Sequence, residues 1–175
     1  SYIDRCLEWC AKYKLNMILD LHKTMGFCFD EASDALFRNP VCQERFISLW
    51  EEFARRYGKD HERVSFELLN AVVDENVVNI WNELISRTIP AIRKYAPTIR
   101  ILVGGVRNNS VLWVRKLDTP YDENIVYTFH FYEPLIFTHQ SAYWVDKMPA
   151  DFTTEYPNDF NTCVDETERF LPSMH

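Results

Sequence analysis

Hydrophobic and polar positions along the chain follow two periods in turn, one of about 3.6 residues and one of about two. Ile3, Leu7 and Cys10 recur at helical spacing, whereas residues 16–21 form a short apolar run of strand length. The pattern predicts strands at residues 16–21, 64–69, 100–104 and 124–131. It predicts helices at residues 1–14, 40–57, 75–96, 110–117 and 159–171. Strands that alternate with helices are typical of parallel β-α units.

The polar residues of two predicted strands lie on one face, which favours a barrel over an open sheet. His130 and Tyr132 share a face in the last strand, and Asp20 and His22 share a face in the first. An open α/β sheet with helices on both faces is apolar on both, whereas a barrel accepts polar interior groups near its catalytic mouth. We therefore predict an α/β fold that is about half of a TIM (β/α)8 barrel, with four parallel strands. An open doubly wound sheet is the alternative.

The length of the chain limits how much of a barrel it can form. A complete barrel takes about 250 residues, and this chain has 175. We predict one domain over residues 1–175, an internal piece of a barrel that lacks strands at both ends, and a monomer.

Composition and charge exclude several classes of partner. The net charge of −7 argues against nucleic acid, since phosphate binding needs a basic surface. No apolar run approaches the length of a membrane span, and no signal peptide opens the chain at Ser1. The four glycines fit no nucleotide-binding motif. The five cysteines are odd in number and form no Cys-x-x-Cys pair, which predicts free thiols.

Four segments at the ends of the predicted strands form a set with a fixed order and spacing. They read Leu-Asp-Leu-His at residues 19–22, Glu-Leu-Leu-Asn-Ala at 67–71, Ile-Leu-Val-Gly-Gly at 101–105, and Tyr-Thr-Phe-His-Phe-Tyr at 127–132. Together they resemble strands three to six of the barrel of glycoside hydrolase family five, the cellulase and mannanase family. The second segment departs from the family in one place, because Ala71 stands where the family has its acid/base Glu.

The resemblance implies a retaining glycosidase that cleaves β-1,4-linked glucan or mannan, here without its proton donor. Catalytic roles fall to the position of Ala71, to His130 beside it, and to Tyr132, which would orient a nucleophile expected beyond His175. Asn70 would bind the 2-hydroxyl of the reacting sugar. The other predicted substrate contacts are His22, Asn109 and Trp144. Neither a cofactor nor a metal is expected.

Simpler interpretations exist for several of these residues. His22 alone is equally consistent with a strand-end histidine that bonds a carbonyl, and Asn70 with a turn residue. Glu67 is interpreted as a structural carboxylate of the barrel interior, and Trp144 lies in a long loop where sugar stacking and plain exposure are both open. Ala71 is explained by a substitution that traps substrate, by a natural pseudoenzyme, or by a misaligned motif.

Two alternatives to the glycosidase hypothesis come from different classes. One is a non-catalytic protein that binds glycans. The other is a metal-dependent barrel hydrolase with Asp20, His22 and His130 as ligands. Localisation stays open, because the family is often secreted whereas five thiols are typical of a reducing compartment.

Overall fold

The computed structural model describes residues 1–29, 33–118, 122–132, 135–145 and 148–155. Its α-helices are α1 (Tyr2–Tyr13), α2 (Ala35–Arg38), α3 (Pro40–Tyr57), α4 (Val78–Arg93) and α5 (Leu135–Thr138). Its strands are β1 (Met17–Asp20), β2 (Lys23–Thr24), β3 (Phe27–Cys28), β4 (Val64–Glu67), β5 (Arg100–Gly104) and β6 (Ile125–Thr128). Short 3-10 helices occupy Gly58–Asp60, Glu75–Val77 and Val111–Lys116. The segment Val106–Asn109 is a tight turn that contains left-handed residues.

The main sheet has four strands in the order β1-β4-β5-β6, all parallel. Its register places Asp20 beside Glu67, Glu67 beside Leu102, and Leu102 beside Val126. β2 and β3 form a separate antiparallel pair. The predicted parallel sheet with intervening helices is confirmed, and it is consistent with part of an α/β barrel.

Helices cover one face of this sheet and leave the other partly open. Val64, Phe66, Ile101 and Val103 point into the core, which the side chains of α3 and α4 complete. On the opposite face Ile18 of β1 is 55% exposed. A doubly wound sheet would bury both faces. One covered face and one polar, partly exposed face are what a section of barrel wall presents.

Local signals account for the helix ends. Ser1 accepts a hydrogen bond from the backbone N–H of Asp4, and the Asp4 side chain returns the contact, which is a capping box. α3 begins at Pro40 after Asn39, whose side chain caps Val41. α3 ends at Tyr57, but Gly58 has a right-handed φ of −61°. Glycine is needed there for space, because an added Cβ would lie 2.5 Å from Cβ of Ala96.

One region differs from the prediction. The sequence predicts no strand or helix between residues 21 and 40, and the structure has the β2–β3 pair and α2 there. The pair turns at Gly26 with a φ of +81°, and it buries Phe27 and Cys28 in the core. Two-residue strands are too short for their periodicity to show in the sequence. The helix predicted at 159–171 and Cys163 lie outside the described residues.

The chain divides into two compact units, Ser1–His130 and Phe131–His175, and each is described by itself. The prediction of a single domain stays a prediction. Cys6, Cys10, Cys28 and Cys42 are free thiols. Within the described part of the chain, no helix is both long and apolar enough to cross a membrane.

Candidate active site

Backbone hydrogen bonds beyond the strand ends join the four strands at one edge of the sheet. The N–H of Asn70, after β4, donates to the carbonyl of Leu21, after β1, at 3.0 Å. The N–H of Asn108, after β5, donates to Val72 at 2.9 Å, and the N–H of His130, after β6, donates to Asn109 at 2.8 Å. These bonds hold the carboxyl ends of the strands in one row, which is the edge where barrel enzymes place their chemistry.

Five of the predicted site residues lie along this row. They are His22, Asn70, Ala71, Asn109 and His130. The structure therefore places along one edge residues that are as many as 108 positions apart in the sequence, from His22 to His130. Their roles toward a ligand stay predictions.

Asp20 and Glu67 are half-buried carboxyl groups at paired positions of β1 and β4. Nδ1 of His22 contacts Oδ2 of Asp20, and the His22 side chain is 70% exposed. Burial raises the pKa of Asp20, which the nearby charge of His22 opposes. Burial also raises the pKa of Glu67, and the Asp20 carboxylate raises it further. Burial lowers the pKa of His130, although Asp20 works against this. Burial therefore favours the neutral form of His130. The contact from Asp20 orients the His22 ring.

We expect Glu67→Gln to stabilise the chain at neutral pH and to have no such effect in acid. The folded state raises the pKa of Glu67 above its ordinary value of 4.5. The folded chain therefore binds the Glu67 proton more tightly than the unfolded chain does. This binding contributes stability that is fully present below pH 4.5 and is lost as the pH rises through the pKa of Glu67 in the folded state. Gln carries no charge at any pH, so it escapes this loss. Urea unfolding between pH 3 and pH 8, roughly, measures the difference.

Glu62→Gln is the matched control, since Glu62 is exposed just before the same strand. It should leave the free energy of unfolding nearly unchanged at every pH. A gain that is equal at low and neutral pH, or equal in both variants, would contradict the assignment.

Ala71 has an unusual backbone for its residue type. Its φ is +48°, a left-handed conformation that costs a non-glycine residue about 1–2 kcal/mol. It is also only 3% exposed. The Cβ of residue 71 is therefore enclosed by the surrounding chain.

Asn109 is placed differently from the expectation of a substrate contact. Its side chain is fully buried, and its Oδ1 accepts a hydrogen bond from the N–H of Gly105 at 3.0 Å. A side chain enclosed in this way does not reach a ligand, so its burial argues against the predicted contact. No feature of the sequence indicated this burial, because Asn is usually exposed.

Tyr132 and Trp144 belong to the second unit. The Tyr132 ring packs edge-on against His139 with centroids 5.1 Å apart. Trp144 is 67% exposed, and its ring lies 4.9 Å from that of Tyr143. Their predicted roles, orientation of a nucleophile and stacking on sugar, stay predictions.

The structure does not group Asp20, His22 and His130 as the metal hypothesis requires. Among the residues that the structure describes, no three His, Cys, Asp or Glu side chains are grouped so that they could hold a metal ion. Asp20 and His22 contact each other, and His130 does not complete a coordination group with them.

Parallel strands, helices on one face and polar residues at the carboxyl edge are the features of a section of (β/α)8 barrel. Comparison with known proteins identifies the family. Residues 1–169 match the family model of cellulase, glycosyl hydrolase family 5. The chain belongs to this family.

Relatives of known name agree with this assignment. The chain is 49% identical over 152 residues to cellodextrinase A of Ruminococcus flavefaciens, a match that covers 85% of this chain and 45% of the relative. It is 43% identical over 162 residues to endoglucanase C of Acetivibrio thermocellus, covering 91% of this chain and 47% of the relative. The chain therefore spans about half the length of the relatives it matches.

Solved structures show the same fold. The cellulose synthase subunit Z of Clostridioides difficile is similar with a TM-score of 0.81 and 27% identity, over 99% of this chain and 55% of that one. Thermotoga maritima Cel5A in complex with cellobiose is similar with a TM-score of 0.78 and 25% identity, over 98% of this chain and 54% of that one. The same enzyme with mannotriose gives a TM-score of 0.78 and 26% identity, with the same coverage.

Proposed function

We propose that this chain forms about half of the active site of a retaining glycoside hydrolase for β-1,4-linked glucan or mannan, and that Ala71 leaves the site without its general acid. The observation that carries the proposal is the row of hydrogen-bonded strand ends, which holds His22, Asn70 and His130 along one edge. Membership of the cellulase family supports the choice of reaction.

In this mechanism two carboxyl groups flank the glycosidic bond about 5 Å apart. One protonates the leaving oxygen, and its position in this chain is residue 71. The other attacks the anomeric carbon, and we assign it to the part of the barrel that this chain does not span. Tyr132 would orient that nucleophile through its hydroxyl.

The residues on the sheet edge suit the binding of a sugar. Asn70 would bond the 2-hydroxyl of the reacting sugar, a contact that strengthens in the transition state. His22 is exposed, and Asp20 at Nδ1 fixes its orientation, so Nε2 would be directed to sugar hydroxyls. His130 is favoured as neutral by burial, which lowers its pKa. A neutral His130 would bond the group at position 71 without adding positive charge.

Ala71 favours a second candidate function, a family member that binds glycans without cleaving them. Loss of a general acid costs on the order of 100-fold to 10,000-fold in rate. Sugar binding depends on other residues and would survive. Both candidates take the same ligand, and they differ only in whether a carboxyl group at position 71 restores cleavage.

The ligand class is a β-linked oligosaccharide of glucose or mannose. The similar structures of Thermotoga maritima Cel5A hold cellobiose and mannotriose. Glucose and mannose units differ only in the orientation of the 2-hydroxyl, so oligosaccharides of both are tested. Trp144, with its exposed ring, offers an apolar face on which a pyranose ring would stack.

Titration of the chain with cellotetraose and mannotetraose, followed by NMR amide shifts, tests this proposal. We expect shifts at His22, Asn70 and His130, and about 10-fold weaker binding in His22→Ala, since one lost hydrogen bond of about 1.4 kcal/mol corresponds to that factor.

His61→Ala is the matched control for this titration. His61 is an exposed histidine before β4, at the other end of that strand, and its removal should leave binding unchanged. Binding of neither sugar, or equal weakening in both variants, would contradict the proposed site.

A further inference from the structure

The turn between β5 and the following 3-10 helix has three consecutive left-handed residues. Arg107, Asn108 and Asn109 have φ values of 55°, 58° and 58°. This backbone conformation is unfavourable for residues other than glycine, although Asn tolerates it better than most. A run of three persists only where surrounding contacts determine it. The contacts of Asn109 are therefore decisive.

The side chain of Asn109 fills a closed site inside this turn. Oδ1 accepts the N–H of Gly105 at 3.0 Å. An added Cβ on Gly104 would lie 2.5 Å from the Asn109 amide, so the glycine leaves the space that this side chain occupies. The Gly105 donor also fixes which end of the amide is oxygen, because a reversed amide would oppose two N–H groups. Nδ2 is buried without an acceptor among the described residues.

The backbone of the same turn bonds two parts of the candidate active site. The N–H of Asn108 donates to the carbonyl of Val72, one residue after Ala71, at 2.9 Å. The carbonyl of Asn109 accepts the N–H of His130 at 2.8 Å. One turn thus holds the main chain beside position 71 and the main chain of His130 together.

We propose that Asn109 is a positioning residue for this site. Its buried amide stabilises the left-handed turn, and the turn sets the separation between His130 and the segment that carries residue 71. Asn109 itself contacts no ligand. The value of this positioning for sugar binding rests on the proposed function, whereas the bracing of His130 does not.

Native-state amide hydrogen exchange on the 175-residue chain tests the bracing. Asn109→Gly permits the left-handed backbone but removes Oδ1, so it separates the amide contact from the backbone conformation. We expect exchange at the N–H groups of Gly105 and His130 to become about 10-fold faster, as for the loss of roughly 1.4 kcal/mol of local protection. The N–H of Phe66 in β4 should be unchanged.

Asn108→Gly is the matched control, one residue earlier in the same turn. Asn108 is also left-handed, but its side chain is exposed. Its replacement should leave exchange at His130 unchanged. Unchanged exchange in Asn109→Gly, or equal acceleration in both variants, would overturn the proposal. Equal acceleration at Phe66 would overturn it too, because Asn109 would then support folding in general.

Asn109→Asp provides a rescue with its own pH signature. It keeps the shape and an acceptor oxygen toward Gly105, but a buried carboxylate is costly and the site favours its protonated form. Protection at His130 should therefore approach the wild-type value as pH falls. A pH-independent loss of protection would contradict a role for the acceptor oxygen.

Cellotetraose affinity is the second readout for the same variants. Asn109→Gly should weaken binding while Asn108→Gly does not. If the wild-type chain binds neither cellotetraose nor mannotetraose, the proposed function fails, and the exchange result still decides the bracing. If binding is intact in Asn109→Gly despite faster exchange, the turn does not position the sugar site.

Discussion

Ala71→Glu is expected to raise the rate of β-glucan hydrolysis by about 100-fold to 10,000-fold, the usual contribution of a general acid. Because the chain spans about half of its relatives, the measurement is made in a chimera. The 152-residue aligned region of this chain replaces the matching part of cellodextrinase A from Ruminococcus flavefaciens, to which it is 49% identical. The parent chimera keeps Ala71, and the substituted chimera differs from it only by Ala71→Glu.

The leaving group separates proton donation from other effects of the substitution. An aryl cellobioside with a good leaving group needs little protonation, so the first step should differ far less between the two chimeras than it does with glucan. In the second step the same carboxyl group acts as a base toward water. Azide attacks without a base, and it should accelerate turnover of the aryl substrate in the parent chimera and have little effect in the substituted chimera.

A second substitution tests whether the effect depends on the position of the new carboxyl group. Glu83→Gln in the substituted chimera alters an exposed carboxylate on α4 and should leave the activity unchanged. Two folded chimeras with equal activity on glucan would contradict the assignment of residue 71. That result would favour the glycan-binding alternative, in which the rest of the site is not arranged for cleavage.

The alternation of strands and helices was predictable because it depends on local periodicity. β5 occupies residues 100–104 and α3 residues 40–57, both as predicted. The polar face of Asp20 and His22 likewise followed from the two-residue period of strands. These features need no knowledge of distant contacts.

The state of individual site residues was not predictable, because it depends on tertiary contacts. Asn109 is predicted from the sequence to contact the substrate, yet Gly104 leaves a closed space for its side chain and the N–H of Gly105 donates to it. Ala71 has no sequence feature that indicates a positive φ. Glu67 is interpreted from the sequence as a structural carboxylate, and its position beside Asp20 depends on which residues of β1 and β4 pair, a contact between segments distant in the chain.

The two buried tryptophans of the core are bonded to the ends of the strands that carry the site. Nε1 of Trp50 donates to the carbonyl of Leu68 at 3.1 Å, and Nε1 of Trp81 donates to that of Gly104 at 2.9 Å. Both side chains are fully buried. The helices α3 and α4 therefore support the site through these bonds as well as through packing.

Trp81→Ala is expected to lower the free energy of unfolding by about 3–5 kcal/mol, the usual cost of removing a fully buried aromatic side chain. The substitution leaves a cavity against Phe37 and Phe46, whose rings pack edge-on against Trp81, and it leaves the Gly104 carbonyl without its donor. Trp81→Phe keeps much of the packing and loses the donor, so its cost should be intermediate. Urea unfolding of the wild-type chain and of both variants measures these costs.

Trp9→Ala is the control, since Trp9 is 55% exposed on α1, and this substitution should lower the free energy of unfolding by about 0.5 kcal/mol or less. A cost for Trp81→Ala no larger than for Trp9→Ala would show that α4 does not hold the end of β5 in place.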